Sequence, residues 1–152
     1  MSIDMKNVLN FVRMGGATLS GATPANTSLV DMQGYEGLTV ALLNATVTVS
    51  GTGGFTLKLQ HSDSTVAGSF VDCTANDVIP TAAGAITISS TADTDDDIFV
   101  NSIGYRGNRR YVRAVVTGTT NTNAVVVVIG VRAPNGTASA PVAAVTAPTA
   151  AT

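Results

Sequence analysis

The stretch Phe55-Thr56-Leu57-Lys58-Leu59-Gln60 decides the fold class. Large apolar side chains stand at every odd position and polar ones at every even position. That period of two places one set on each face of a β-strand, the apolar face packed and the polar face wet. The preceding Ser50-Gly51-Thr52-Gly53-Gly54 has the composition of a turn. Before it, Leu38, Val40 and Leu42 alternate with Thr39 and Ala41, and after Asn44 the apolar phase moves to Ala45, Val47 and Val49. A slip of one residue would send every later side chain to the wrong face, so a bulge or bend is expected at Asn44. Downstream, short strands are expected near Phe70 to Cys73, Ile86 to Ser89 and Ile98 to Ile103. A turn over Gly104 to Asn108 leads into a strand from Tyr111 to Thr117. Ala124 to Val131 is almost entirely valine and reads as a central strand buried on both faces. About eight strands, with turn signals roughly every ten residues, predict an all-β antiparallel sandwich or barrel.

The flanks differ in composition. Residues 1–28 are small and polar, with Gly15-Gly16, Gly21, Pro24 and Asn26, and read as an N-terminal arm. Val8, Leu9, Phe11 and Val12 would supply its one anchoring element, a short strand or helical turn. Residues 29–132 form the sandwich domain. Residues 133–152 are an Ala/Thr/Pro tail with no charge and no large side chain, too poor in apolar area to fold by itself and biased by Pro141 and Pro148 toward extended backbone.

Composition narrows the function. The 152 residues suit one domain with a real core. Hydrophobic residues make up 45% and charged residues only 12%, about half the usual share. A net charge of -2 argues against a nucleic-acid partner, which would need clustered basic residues. No segment has the roughly 18 apolar residues that cross a bilayer, so no membrane partner is expected. The N-terminal stretch lacks the pattern of a secretory signal, giving the expectation of synthesis in a host cytoplasm. One cysteine, Cys73, allows no internal disulfide. A low-charge surface suits a protein held by a large assembly.

Few residues suggest chemistry. His61 is the single histidine, and with Ser62, Asp63 or Cys73 it could be imagined in a nucleophilic set. Sequence order gives no geometry, however, and a polar cluster that satisfies a turn is the simpler reading. In Asp93-Thr94-Asp95-Asp96-Asp97, the carboxylates Asp93, Asp95 and Asp97 are weak candidates for a calcium site. The glycine and glutamate of an EF-hand loop are missing, and a solvated acidic loop explains the run. Arg106, Arg109 and Arg110 form a basic turn that could pair with acidic partners across an interface, as Asp95 and Asp96 could with a basic one. Arg113 lies within a strand as a buried or interface cation. No cofactor motif is present, and the absence of tryptophan argues against a sugar-binding or base-stacking platform.

Gly34-Tyr35-Glu36-Gly37-Leu38-Thr39-Val40, Phe55 to Asp63 (ending Leu59-Gln60-His61-Ser62-Asp63), Gly68-Ser69-Phe70-Val71-Asp72 and Tyr105-Arg106-Gly107-Asn108-Arg109-Arg110-Tyr111-Val112-Arg113 follow one another in order. Over about residues 29–132 this resembles the small decoration or cement (head-stabilising) proteins encoded beside the major capsid protein in tailed bacteriophages. The resemblance implies a jelly-roll-like sandwich on the capsid exterior. It further implies a homo-oligomer, dimer or trimer, clamping adjacent subunits of the major capsid protein without catalysis. Another virion sandwich protein (tail, neck or fibre base) and a carbohydrate-binding adhesion module are the alternatives.

Overall fold

The computed structural model describes residues 9–49, 53–79, 84–88 and 99–134, with side chains described for 9–43, 53–79 and 102–134. The described strands are β1 (Asn10–Ser20), β2 (Pro24–Asn26), β3 (Val30–Asp31), β4 (Tyr35–Val49), β5 (Gly53–Ser62), β6 (Val71–Asp72), β7 (Val78–Ile79), β8 (Gly84–Ile88), β9 (Phe99–Tyr105), β10 (Tyr111–Gly118) and β11 (Thr122–Pro134). A single 3-10 turn, Ala67–Ser69, interrupts them. Among the described residues no helix is long and apolar enough to cross a membrane.

The strands form two antiparallel sheets. Sheet A runs β1-β11-β4-β9-β7; sheet B runs β2-β10-β5-β6, with β3 also beside β10 and β8 also beside β5. Eleven strands are described where about eight were expected after the arm; apart from β7 they fill eight positions, the first of them, β1, inside the expected arm. β2 and β3 share the second position, both against β10, and β6 and β8 share the fifth, both against β5. Counted this way, the sheets read 1-8-3-6 and 2-7-4-5, the double Greek key of a jelly roll. β7 is an addition at the edge of β9. Between β2 and β3, Thr27 keeps the ladder going: its hydroxyl accepts the Ala114 N–H at 2.9 Å and its N–H donates to the Ala114 carbonyl at 3.0 Å.

The core lies between the sheets. Phe55, Leu57 and Leu59 of β5 are buried, while Thr56 is exposed and Lys58 and Gln60 are partly so. They meet Leu42 and Ile103 of sheet A and Val112 and Val116 of sheet B in one cluster. Each such side chain contributes about 1.5–3 kcal/mol by leaving water. The expected irregularity near Asn44 is present: Asn44 pairs with Val126 and Thr46 with Val125, leaving Ala45 as the extra residue of a bulge.

Two readings change. Residues 10–26 are integral strands and not an arm. β1 pairs with β11 along its length, and Met14 and Leu19 are fully buried in the core. Sequence alternation misses this because β1 carries its own bulge at Met14, between Arg13 and Gly15. Val12 and Met14 face inward before the bulge, Ala17 and Leu19 after it, and Gly15 absorbs the kink at a φ of 112°. The valine-rich β11 is central in its sheet, but it is not buried on both faces. Val126 and Val128 are fully buried, whereas Val125 and Val127 remain 41% and 38% exposed. The tail proper, residues 135–152, lies outside the described residues.

Candidate functional site

Three of the segments that carry the sequence resemblance, residues 55–63, 68–72 and 105–113, meet at one end of the sandwich and are hydrogen-bonded to one another, whereas the first, residues 34–40, enters β4 of sheet A. His61, buried near the end of β5, contacts the Tyr105 hydroxyl through Nδ1 at 3.1 Å, with the two rings edge to face. The same hydroxyl accepts the Arg109 backbone N–H at 3.0 Å. Gly107 is required here, since a Cβ would stand 2.6 Å from the Tyr105 ring. The Ser62 hydroxyl bonds that of Ser69 at 2.7 Å and accepts the Ser64 N–H at 2.9 Å, fixing the loop after β5. Asp63 accepts from the Arg109 guanidinium and from the Arg110 backbone N–H. Arg110 makes a forked contact with Asp31, its Nη2 2.8 Å from Oδ2 and its Nε 3.1 Å from Oδ1.

Arg106, Arg109 and Arg110 do share one loop, between β9 and β10, but each has an acceptor within the molecule. Arg106 donates through Nε to the Asn76 carbonyl at 2.8 Å. Arg113 donates to Gln60 at 2.8 Å, and Gln60 in turn donates to Asp72, which also holds Lys58. The carboxyls follow suit. The Arg110 guanidinium and then the Gln33 N–H hold Asp31 below the ordinary carboxylate range, Arg109 and then the Arg110 N–H do the same for Asp63, and Lys58 and then Gln60 for Asp72. Burial pushes the Tyr105 phenol and the Cys73 thiol each up to about 12, so both stay protonated near neutrality. A neutral, half-buried thiol is a poor nucleophile. Asp93, Asp95, Asp96 and Asp97 lie outside the described residues. Among the described residues no group of three or more His, Cys, Asp or Glu side chains could hold a metal.

Aromatic faces are also occupied. Arg110 covers Tyr111 at 5.0 Å, Arg113 covers Phe70 at 4.4 Å and Arg132 covers Tyr35 at 4.0 Å. Arg132 was not singled out by sequence reasoning. It also donates to Asn10 at 2.6 Å and to the Asp31 carbonyl at 2.6 Å, tying β1, β3 and β11 together. Thr122 was missed too. Fully buried, its hydroxyl accepts the Gly54 N–H and donates to the Gly54 carbonyl, both at 2.9 Å, bolting β11 to β5 across the sandwich. No sequence signal separates it from the chain's other threonines. A shallow hollow of about 330 Å³ remains between Gln33, Tyr35, Asp63 and the 107–110 loop.

The surface left without an internal task is the outer face of sheet A. The pairing register places Phe11, Val131, Thr39, Gly104 and Ile79 in one outward row, then Arg13, Ile129, Ala41 and Ser102, then Gly16, Val127 and Leu43. Phe11 is 67% and Ile79 56% exposed. An open groove of about 540 Å³, whose lining includes Leu9, Thr39, Ile79 and Val131 together with Glu36 and Arg106, crosses the first row. Charge on this face is sparse: Arg13 stands on β1, and Glu36 and Arg106 border the groove. Scattered exposed apolar residues are ordinary, but a contiguous patch of this kind marks an interaction surface.

No family model and no curated protein matches the chain. Its fold is similar to that of the PBSX exported protein XepA, with a TM-score of 0.51 at 11% identity, over 89% of this chain and 40% of that one. The chain thus spans well under half of that protein. It also aligns with a protein of the disulfide-linked pili called Bacillus endospore appendages (TM-score 0.41, 18% identity, 84% and 87% of the two chains). The SPBc2 prophage-derived protein YomS aligns with a TM-score of 0.39 at 12% identity, over 87% and 97%. At these identities the likeness concerns the fold alone.

Proposed function

We propose that this chain is a non-enzymatic structural protein of a phage particle, bound to the capsid exterior, where it stabilises contacts between major capsid subunits. One observation carries the reading. Among the described residues, most side chains capable of chemistry are spent on internal bonds, whereas the middle of the outer face of sheet A is apolar. His61, Ser62, Asp63 and Arg109 hold loops in place, and the charged groups that line the shallow hollow beside them are already paired, Arg109 with Asp63 and Arg110 with Asp31. The sequence resemblance to capsid decoration proteins supports the same reading. Among the described rings Tyr35, Phe70 and Tyr111 each have an arginine over one face and Phe11 alone stands widely exposed, a poor platform for a carbohydrate-binding module, which stacks sugars on open rings. A protein that binds the assembled shell and not its separate subunits shifts assembly toward the shell by mass action, and a symmetric lattice lets weak single contacts suffice.

Copy number in purified particles is the test. Hundreds of copies, with density on the outer shell in particle reconstructions, are expected. A handful of copies at the tail, neck or fibre base would move the protein to another part of the virion, and absence from particles would end the reading.

A further inference from the structure

We propose that the groove at the end of sheet A is the seat of this chain's own C-terminal segment, with Val142 and Val145 as its anchors. This stands independently of where the protein sits on a particle.

Four observations lead here. The first is place. β11 ends at Pro134, and its Ala133 lines the groove. The segment that follows, residues 135–152, therefore starts at the groove's own edge. The groove reaches from Leu9, just before β1, to Ile79 of β7, which is four strand spacings or roughly 19 Å. Six or seven extended residues, at about 3.1 Å each, cover that length. Residues 135–139 are left for the reversal, and Asn135-Gly136 has the composition of a turn.

The second is direction. The lining comes from or beside all five strands of sheet A, so the groove runs across them and not along an edge. Whatever lies in it packs by side chains and has no ladder to join. An extended segment that keeps its backbone in water meets that condition, and proline, with no N–H to satisfy, favours it. Ala-Pro recurs at Ala133-Pro134, Ala140-Pro141 and Ala147-Pro148, with Val142-Ala143-Ala144-Val145-Thr146 between the last two.

The third is spacing. Polyproline II has three residues per turn, so Val142 and Val145 fall on one edge, about 9.3 Å apart. β11 and β9 flank β4, two strand spacings or about 9.6 Å apart. Valines at that interval stand over Ala133 of β11 and Gly104 of β9, two of the smallest residues in the lining.

The fourth is charge. Glu36 and Arg106 border the groove with opposite signs, so a charged occupant of either sign meets one like charge. Residues 133–152 contain no aspartate, glutamate, lysine or arginine. The tether also presents this segment at an effective concentration of about millimolar, ahead of a dilute external ligand of the same chemistry. An outside partner that docks in this groove must first displace it.

The test uses the full chain in a Cys73→Ser background at high dilution. Thr39→Cys, exposed on β4 in the groove, is paired with Ala144→Cys, which lies between the two anchors. The control pairs Ala144→Cys with Thr56→Cys, exposed on the outer face of sheet B. A short bismaleimide is added, and the linked peptides are read by mass spectrometry after proteolysis. A tether alone presents both pairs at similar effective concentration, so a seated segment is expected to make the residue 39–144 link about tenfold faster or more. Val142→Asp with Val145→Asp, outside the sandwich, is expected to leave the circular dichroism unchanged and to bring that rate down to the control. Ile79→Cys, at a side chain 56% exposed, replaces Thr39→Cys should that variant fold poorly. Equal rates for groove and control would overturn the proposal, as would a link indifferent to the two aspartates. Links formed only between chains would put a neighbour's segment in the groove and overturn it equally.

Discussion

The two sheets share a core but differ on their backs. Sheet B turns outward a bonded lattice of Lys58, Gln60, Asp72 and Arg113, with a loop folded over Phe70. Sheet A turns outward valine, isoleucine, leucine and threonine, with Arg13 at its margin. Both are built on the same period of two, and what differs is the residue set at the outward parity. A polar outward set makes a face that is complete in water. An apolar outward set makes a strand that looks buried on both sides in sequence and leaves half of itself exposed in the isolated chain.

The sharpest break of this comparison lies within β11. Val126→Asp puts a charge among fully buried neighbours and is expected to unfold the protein, at a cost above about 4 kcal/mol by urea denaturation. An equal loss from Val125→Asp, one residue away, would refute the alternation. Next in size is the covering of sheet B. Phe70→Ala is expected to cost about 3 kcal/mol, because it removes a buried ring and exposes what lies beneath. Phe11→Ala on sheet A, at a ring 67% exposed, should change stability by no more than about 0.5 kcal/mol.

Smaller is Tyr105→Phe, at about 1–2 kcal/mol, since buried His61 and the Arg109 N–H lose their shared partner. The wild-type phenol is pushed from 10.0 to about 12, so its stabilisation is full below pH 10 and lost as pH rises toward 12. The Cys73 thiol, moved from 9.0 to about 12, loses its share from pH 9 upward. The Tyr105→Phe variant should therefore lose less stability than wild type between pH 10 and 12 in parallel urea titrations.

The smallest effect separates the faces by acid. The carboxyls of Asp31, Asp63 and Asp72 lie below their ordinary 3.8, so their contribution is present above that value and disappears as pH falls through their lowered values. Hydrogen exchange in the 106–110 loop should quicken first on acidification. The centre of sheet A, around Val126 and Val128, carries no such pair, and its exchange should stay level over the same range.

The long alternating strands were legible, and so was the bulge beside Asn44, because a phase slip is itself a signal. β1 was not, since a bulge at Met14 splits its inward residues between two parities too early for either to repeat. β2, β3 and β7 are two or three residues long, shorter than any period can reveal. Valine at both parities hid the alternation of β11. The arginine loop was found as a place, but its internal partners were not foreseen. Asp63 and Asp31 reach it from 46 and 79 residues away, and nothing local announces such a pairing.

The pairing of β1 with β11 also bears on synthesis. Arg132 meets Asn10 across a separation of 122 residues, and β11 lies between β1 and β4 in the sheet. On the ribosome β1 therefore emerges with no neighbour, and the rest of sheet A has a gap where its second strand belongs. Closure waits for the last of these strands to leave the exit tunnel. A nascent chain stalled before residue 122 should remain protease-sensitive, and refolding of the whole chain should be slow for its size, as contacts between distant segments dictate.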